Sequence, residues 1–163
     1  VGDPLDEATD VSALISAGER DRVAGWVAEA EAQGATIAAG GSIGSDGVLM
    51  PTVITNATQE MKVCALEIFG PVVVVQPYDD LDDALRMAND TRYGLQASIF
   101  TSDITKALKV VHALDFGGVL VNEVPTWRAD QQPYGGLRDS GNTREGPAYS
   151  VREMTEIKMV ILS

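Results

Sequence analysis

The residue types able to do chemistry gather in two stretches. In the first, the only cysteine of the chain, Cys64, is followed by the carboxylate of Glu67 and the ring of Phe69. A thiol becomes a nucleophile when a cation or a helix N-terminus lowers its pKa. Lys62 is the cation close to it in sequence, which is slender support, and a buried free cysteine otherwise packs as a small hydrophobe. Cys64 therefore reads as a structural thiol. Glu67, just before an apolar run, reads on its own as a capping or surface carboxylate, and Phe69 as a core aromatic. In the second stretch, Trp127, Arg128 and Tyr134 lie within a polar segment rich in glycine and proline, 123–147. Apolar walls with a few polar anchors are what a small-ligand site needs. A guanidinium can hold a carboxylate or phosphate through two parallel bonds, or it can be ion-paired within its own loop. Asn122, where this stretch begins, either faces a site or hydrogen-bonds the turn. The lone histidine, His112, reads as a packed or surface residue, and one cysteine is too few for a thiolate metal site.

The elements that position these residues are legible from hydrophobic periodicity. Residues 72–76 form a β-branched run bounded by Pro71 and Pro77. A helix is expected over 80–90 with Leu81, Ala84, Leu85 and Ala88 on one face, then a strand at 96–100. A second helix follows at 103–114, with Ile104, Ala107, Leu108 and Val111 on one face, and a third strand at 119–121. Strand, helix, strand, helix, strand at this spacing requires crossovers, so the fold class is α/β, a parallel sheet with a βαβαβ core covered by helices. The crossovers are expected to be right-handed. Asn122 then lies beyond the carboxyl end of a strand, where sites open in α/β sheets.

Upstream, Val23, Trp26, Val27 and Ala30 mark one face of a helix over 17–33, opened by the capping box Ser16/Glu19 and stopped at Gly34. Two extended pieces, 35–39 and 48–55, flank the Gly/Ser loop 40–47 as a hairpin or a loop excursion. No Lys-Ser/Thr follows the loop and no helix begins there, so it reads as a plain flexible turn rather than a phosphate cradle. A short helix is expected at 146–152. Residues 155–162 alternate and then turn apolar, like a strand with no local partner, and such a strand often pairs with something else.

Twenty-four acidic against twelve basic side chains leave a net charge of −12, which repels nucleic acid and anionic lipid. No apolar run approaches the roughly 20 residues that span a bilayer. The cysteine usage fits a reducing, cytoplasmic setting.

Three motifs, in order, carry a resemblance. Met61-Lys62-Val63-Cys64-Ala65-Leu66-Glu67-Ile68-Phe69-Gly70-Pro71 is similar to the Glu-x-Phe-Gly-Pro motif of the aldehyde dehydrogenase superfamily. Asn89-Asp90-Thr91-Arg92-Tyr93-Gly94-Leu95 is similar to its Asn-x-x-x-Tyr-Gly-Leu stretch. Pro133-Tyr134-Gly135-Gly136-Leu137-Arg138-Asp139-Ser140-Gly141 resembles its Pro-aromatic-Gly-Gly-x-Lys/Arg-x-Ser-Gly loop, and Arg144-Glu145-Gly146 continues the match. The resemblance runs over essentially the whole chain. Departures are Ser12-Ala13, where many relatives have Gly-Pro, and Leu66 in place of a common second glutamate.

This resemblance implies an oxidoreductase that oxidises an aldehyde with NAD or NADP. A cysteine thiolate attacks the carbonyl, hydride passes to the nicotinamide, and water hydrolyses the thioester. It implies that Glu67 holds the nicotinamide ribose, that Phe69 lies against the nicotinamide, and that Tyr134 and Trp127 line the aldehyde tunnel. It implies that Asn122 lies near the site, and by its own chemistry Arg128 would anchor an anionic group of the aldehyde there. In relatives the nucleophile, the general base and the cofactor domain precede the matched region. On this reading residues 1–153 are the C-terminal portion of the catalytic domain, with no catalytic residue among them, and 154–163 an oligomerisation strand that makes a homo-oligomer through 155–162. The chain alone is then expected neither to bind the cofactor nor to turn over. The alternative is a free-standing truncated interaction module with the same fold.

Overall fold

Helix α1, Ala17–Ala32, starts where the Ser16 hydroxyl accepts the Glu19 N–H at 3.2 Å. The expected box closes only on that side, because the Glu19 carboxylate turns to Arg22 instead. Gly34 ends the helix turn at φ 104°, in the left-handed region that glycine enters without a Cβ penalty. Val23, Val27 and Ala30 are buried, the face that the spacing predicts. Strands β1, Thr36–Ala39, and β2, Thr52–Thr55, pair antiparallel. The Gly/Ser loop between them is hydrogen-bonded, with an Ile43–Leu49 bridge closed by Gly44 N–H to the Val48 carbonyl at 2.8 Å. It leads into a strand, not a helix, so it has the shape of a hairpin extension.

A single helical turn, α2 (Lys62–Ala65), follows and then strand β3, Val72–Val75, which lies parallel to β2. The core of this part holds Val27, Ala30, Ile54, Met61 and Val63, with Cys64 and Ile68 packed against it. A fully buried aliphatic side chain such as Ile54 contributes about 1.5–3 kcal/mol.

The rest begins with helix α3, Leu81–Asn89, whose first N–H groups are capped by the Asp80 carboxylate at 2.8 and 3.2 Å. Strand β4, Gln96–Ile99, helix α4, Ile104–Ala113, and strand β5, Gly118–Val121, complete a crossover unit in which β4 and β5 are parallel. Asp103 caps α4 as Asp80 caps α3. Leu85, Val110 and Leu114 form the core. A 3-10 turn at Arg138–Ser140 and helix α5, Pro147–Glu153, follow. The structure describes all residues, 1–163. They fall into two compact units, Val1–Asp79 and Asp80–Ser163.

The α/β class expected from the sequence is what forms, with differences in detail. The strands do not make one parallel sheet with a βαβαβ order. β3 joins β2 and β1 in a mixed three-stranded sheet, while β4 and β5 make a two-stranded one. An apolar run announces an extended, buried segment, but not the edge it joins. Helix α4 is also rotated from the expected face. Ala107, Val110 and Leu114 are buried, while Ile104, Leu108 and Val111 are exposed. This helix is apolar on most sides, so the packing partner rather than the period selects the face. Residues 155–162, expected as a strand, join no ladder and are exposed, Ile157 fully. No helix is long and apolar enough to cross a membrane.

Candidate functional site

In the first unit, α2 and the segment after it are held from beneath. Met61 and Val63 are buried, and Ile68 packs on the same core. Ile68 packs inward, while its neighbours Glu67 and Phe69 are exposed. Glu67 is exposed and takes no hydrogen bond or ion pair from the protein. Phe69 is 71% exposed, which removes the core-packing reading of its ring. Its φ is 46°, a left-handed backbone that costs a bulky residue of order 1–3 kcal/mol. A strained backbone that displays an aromatic to solvent is an arrangement found at ligand-binding segments. An exposed, unpartnered carboxylate two residues away suits adjacent ribose hydroxyls, each of which donates a bond. The segment thus offers an exposed carboxylate and an exposed ring two residues apart.

Cys64 does not share this display. It packs against the core, and burial, with the nearby Glu60 charge second, pushes its thiol pKa up. That is the opposite of what a nucleophile needs.

In the second unit, a groove of about 460 Å³ lies against β5 and the loop beyond it. Its lining includes Val119, Val121, Glu123, Trp127, Gln132 and Tyr134. The structure therefore brings Trp127 and Tyr134 together as groove walls. Tyr134 is fixed by a two-residue bridge to Glu145, with the Glu145 N–H on the Tyr134 carbonyl at 2.6 Å. The Arg128 guanidinium lies 4.4 Å over the Tyr134 ring and 3.3 Å from the Glu145 carboxylate. Both partners of this ion pair are well exposed, so it is worth little and can be exchanged for another anion. Asn122 makes hydrogen bonds in the turn. Its side chain accepts the Thr101 N–H at 2.8 Å and donates to the Thr101 carbonyl at 3.0 Å, tying the ends of β4 and β5. His112 is exposed on α4.

The loop that carries Tyr134 is seated by residues to which the sequence reading gave no role. Arg138 donates to the carbonyls of Asn89 at 2.9 Å, Thr91 at 2.8 Å and Asp115 at 2.7 Å. The Gly94 N–H donates to the Ser140 hydroxyl at 3.0 Å, and the Leu137 N–H to the Gly94 carbonyl at 2.9 Å. Arg92 pairs with Asp139. Segments 89–95 and 133–141, read as separate motifs, are thus two halves of one contact. Their co-occurrence was the available signal. Glu123 and Gln132, which also line the groove, carried none.

The sequence profile of the Aldehyde dehydrogenase family matches residues 1–160. The chain is 44% identical to a 3-sulfolactaldehyde dehydrogenase of Priestia aryabhattai over 164 aligned residues, covering 100% of this chain and 34% of that protein. It superposes on an aldehyde dehydrogenase of Mycobacterium tuberculosis complexed with NAD+ at a TM-score of 0.89, with 34% identity, over 99% of this chain and 34% of that one. On a glyceraldehyde-3-phosphate dehydrogenase of Methanocaldococcus jannaschii complexed with NADP the TM-score is 0.92, with 38% identity, over 99% and 35%. The chain spans about a third of the length of these relatives.

Proposed function

We propose, from the premise that this chain belongs to the aldehyde dehydrogenase family, that it is the C-terminal part of the catalytic domain of an NAD(P)-dependent enzyme oxidising an aldehyde to a carboxylate. The observation that carries the reading is the outward pair Glu67 and Phe69, displayed by a strained backbone within the Glu-x-Phe-Gly-Pro motif. Glu67 would hold the nicotinamide ribose and Phe69 would lie against the ring. The nicotinamide, when bound, supplies the hydride acceptor.

The chain's own residues bind and orient; none serves as nucleophile. Cys64 is tied to the core and its thiolate is disfavoured. Trp127 and Tyr134 form apolar walls for the aldehyde. Arg128 would release Glu145 to meet an anionic group on the substrate, as guanidinium does with carboxylate, sulfonate or phosphate. A small anionic or hydroxylated aldehyde is the class proposed, in keeping with relatives named for 3-sulfolactaldehyde and glyceraldehyde-3-phosphate. Residues 154–163 would pair with another subunit, and a cytoplasmic setting fits the single reduced thiol. A non-enzymatic interaction module has no observation in its favour.

The test compares the isolated chain with a polypeptide in which it follows the family's cofactor domain and nucleophile. Only the longer polypeptide should produce NAD(P)H from an aldehyde, and Cys64→Ser should not abolish it. Turnover by the isolated chain, lost on Cys64→Ser, would overturn the reading.

A further inference from the structure

We infer that Arg22 is a positioning residue that presents Glu67 and Phe69 to the dinucleotide, an inference that rests on the cofactor role proposed above for those two residues. Helix α1 grips the segment on both sides of Phe69. From Arg22, Nη2 donates to the Ile68 carbonyl at 2.9 Å. From the next residue, Val23, two methyl groups lie where a Cβ on Gly70 would sit only 3.0 and 3.1 Å away. The carbonyl before Phe69 and the α-carbon after it are therefore fixed by adjacent residues of one helix. Between these two points the backbone of Phe69 is in the left-handed region and its ring is turned to solvent.

A bulky residue does not hold such a backbone unless its surroundings impose it. The methyl contact at Gly70 is a limit on approach, not an attraction, so of the two α1 contacts the directional bond at Ile68 is the one that ties the segment down, above the Ile68 side chain packed on the core. Arg22 is itself fixed before it makes that bond. Its Nε and Nη2 contact the Glu19 carboxylate at 2.8 and 2.7 Å, one helical turn back. Its guanidinium stacks 4.6 Å from the centre of the Trp26 ring, one turn forward. Glu19, Arg22 and Trp26 thus form a row along α1 whose output is one hydrogen bond to the display segment. Arg22 makes no hydrogen bond or ion pair to the side chain of Glu67 and acts through the Ile68 backbone between Glu67 and Phe69.

The test uses the complete aldehyde dehydrogenase polypeptide proposed above, with Arg22→Met, Arg22→Lys and the control Glu67→Gln. Met keeps an unbranched side chain of similar length and removes the donor. Loss of one charged hydrogen bond to a carbonyl corresponds to about a tenfold change. Arg22→Met is expected to raise KM for NAD(P) by about that factor with KM for the aldehyde unchanged, and Arg22→Lys to recover part of it. An unchanged cofactor KM in Arg22→Met, while Glu67→Gln shifts it, overturns the positioning role alone. An unchanged cofactor KM and hydride-transfer rate in Glu67→Gln overturns the underlying cofactor reading. A merely structural role would raise both KM values together or lower the amount of active enzyme at constant KM. If Arg22→Met does not fold, Glu19→Gln leaves Arg22 in place with a weaker support. It is expected to move the cofactor KM in the same direction by a smaller factor, and no movement there overturns the inference.

Discussion

Gly117→Ala probes the seat of the Tyr134 loop by steric means alone. Gly117 has no left-handed backbone to lose, so alanine can adopt its conformation. The new Cβ, however, would stand 1.8 Å from the Gly135 carbonyl oxygen and 3.1 Å from the Gly136 α-carbon. Real Cβ contacts do not fall below 3.0 Å, so the loop backbone must retreat by about 1.2 Å. That movement strains the Leu137 N–H bond to Gly94 and the Tyr134–Glu145 bridge. Overpacking of this kind costs about 1–3 kcal/mol. A lost hydrogen bond adds about 1 kcal/mol, and the stiffer unfolded chain returns about 0.4–1 kcal/mol. The net expectation is a destabilisation of about 2 kcal/mol, read as a fall of about 1–2 M in the urea midpoint. The probe is the fluorescence of Trp127 in a Trp26→Phe background, which reports the second unit alone. Gly25→Ala is the control: it sits in α1 with nothing within 4 Å of its Cβ, and should not destabilise. A Gly117→Ala midpoint equal to that of the parent would show that the loop does not lie against β5, and the reasoning would fail with it.

Further outcomes follow from the same geometry. Cys64 should react slowly with iodoacetamide in the folded chain. Its raised pKa means a smaller thiolate fraction at any given pH than a free thiol has, so its labelling rate should climb only above the ordinary thiol range. Labelling at the rate of the urea-unfolded chain at neutral pH would contradict the packing of Cys64 against the core. In the full enzyme, Arg128→Ala should raise KM about tenfold or more for a carboxylate- or sulfonate-bearing aldehyde and leave a neutral aldehyde nearly unaffected. Equal effects on both substrates would assign Arg128 to the loop alone.

Much of this was legible in the sequence, for physical reasons that differ from element to element. Helix α1 announced itself through Val23, Val27 and Ala30 at helical spacing, with Ser16 and Gly34 as its punctuation, and all of them act as read. Helix α4 did not reveal its buried face, because apolar residues ring most of it and only Leu85 and the facing strands decide which side packs. The pairing of β3 with β2 rather than β4 was beyond reach for a similar reason: a valine run states depth, not neighbour. At the candidate site, the motif around Glu67 marked the segment, but the outward turn of Phe69 depends on a positive φ that no residue type there signals. Asn122 could be read toward a ligand or toward the turn, and the two hydrogen bonds to Thr101 are bonds of the turn. The roles of Arg22 and Arg138 lie in bonds to backbone carbonyls far along the chain, which carry no sequence signature.

The carbonyls bonded by Arg138 also set an order of events. Its partners Asn89 and Thr91 are 49 and 47 residues away along the chain, and the Ser140–Gly94 bond spans 46. Contacts of such separation must overcome the entropy of closing the intervening loop before they return any energy. The α3 turn and the β4–α4–β5 crossover are built largely from nearer neighbours and offer the surface on which that loop closes. The aromatic walls of the groove are therefore expected to form late in folding. Their arrival certifies that the layer beneath them has already formed.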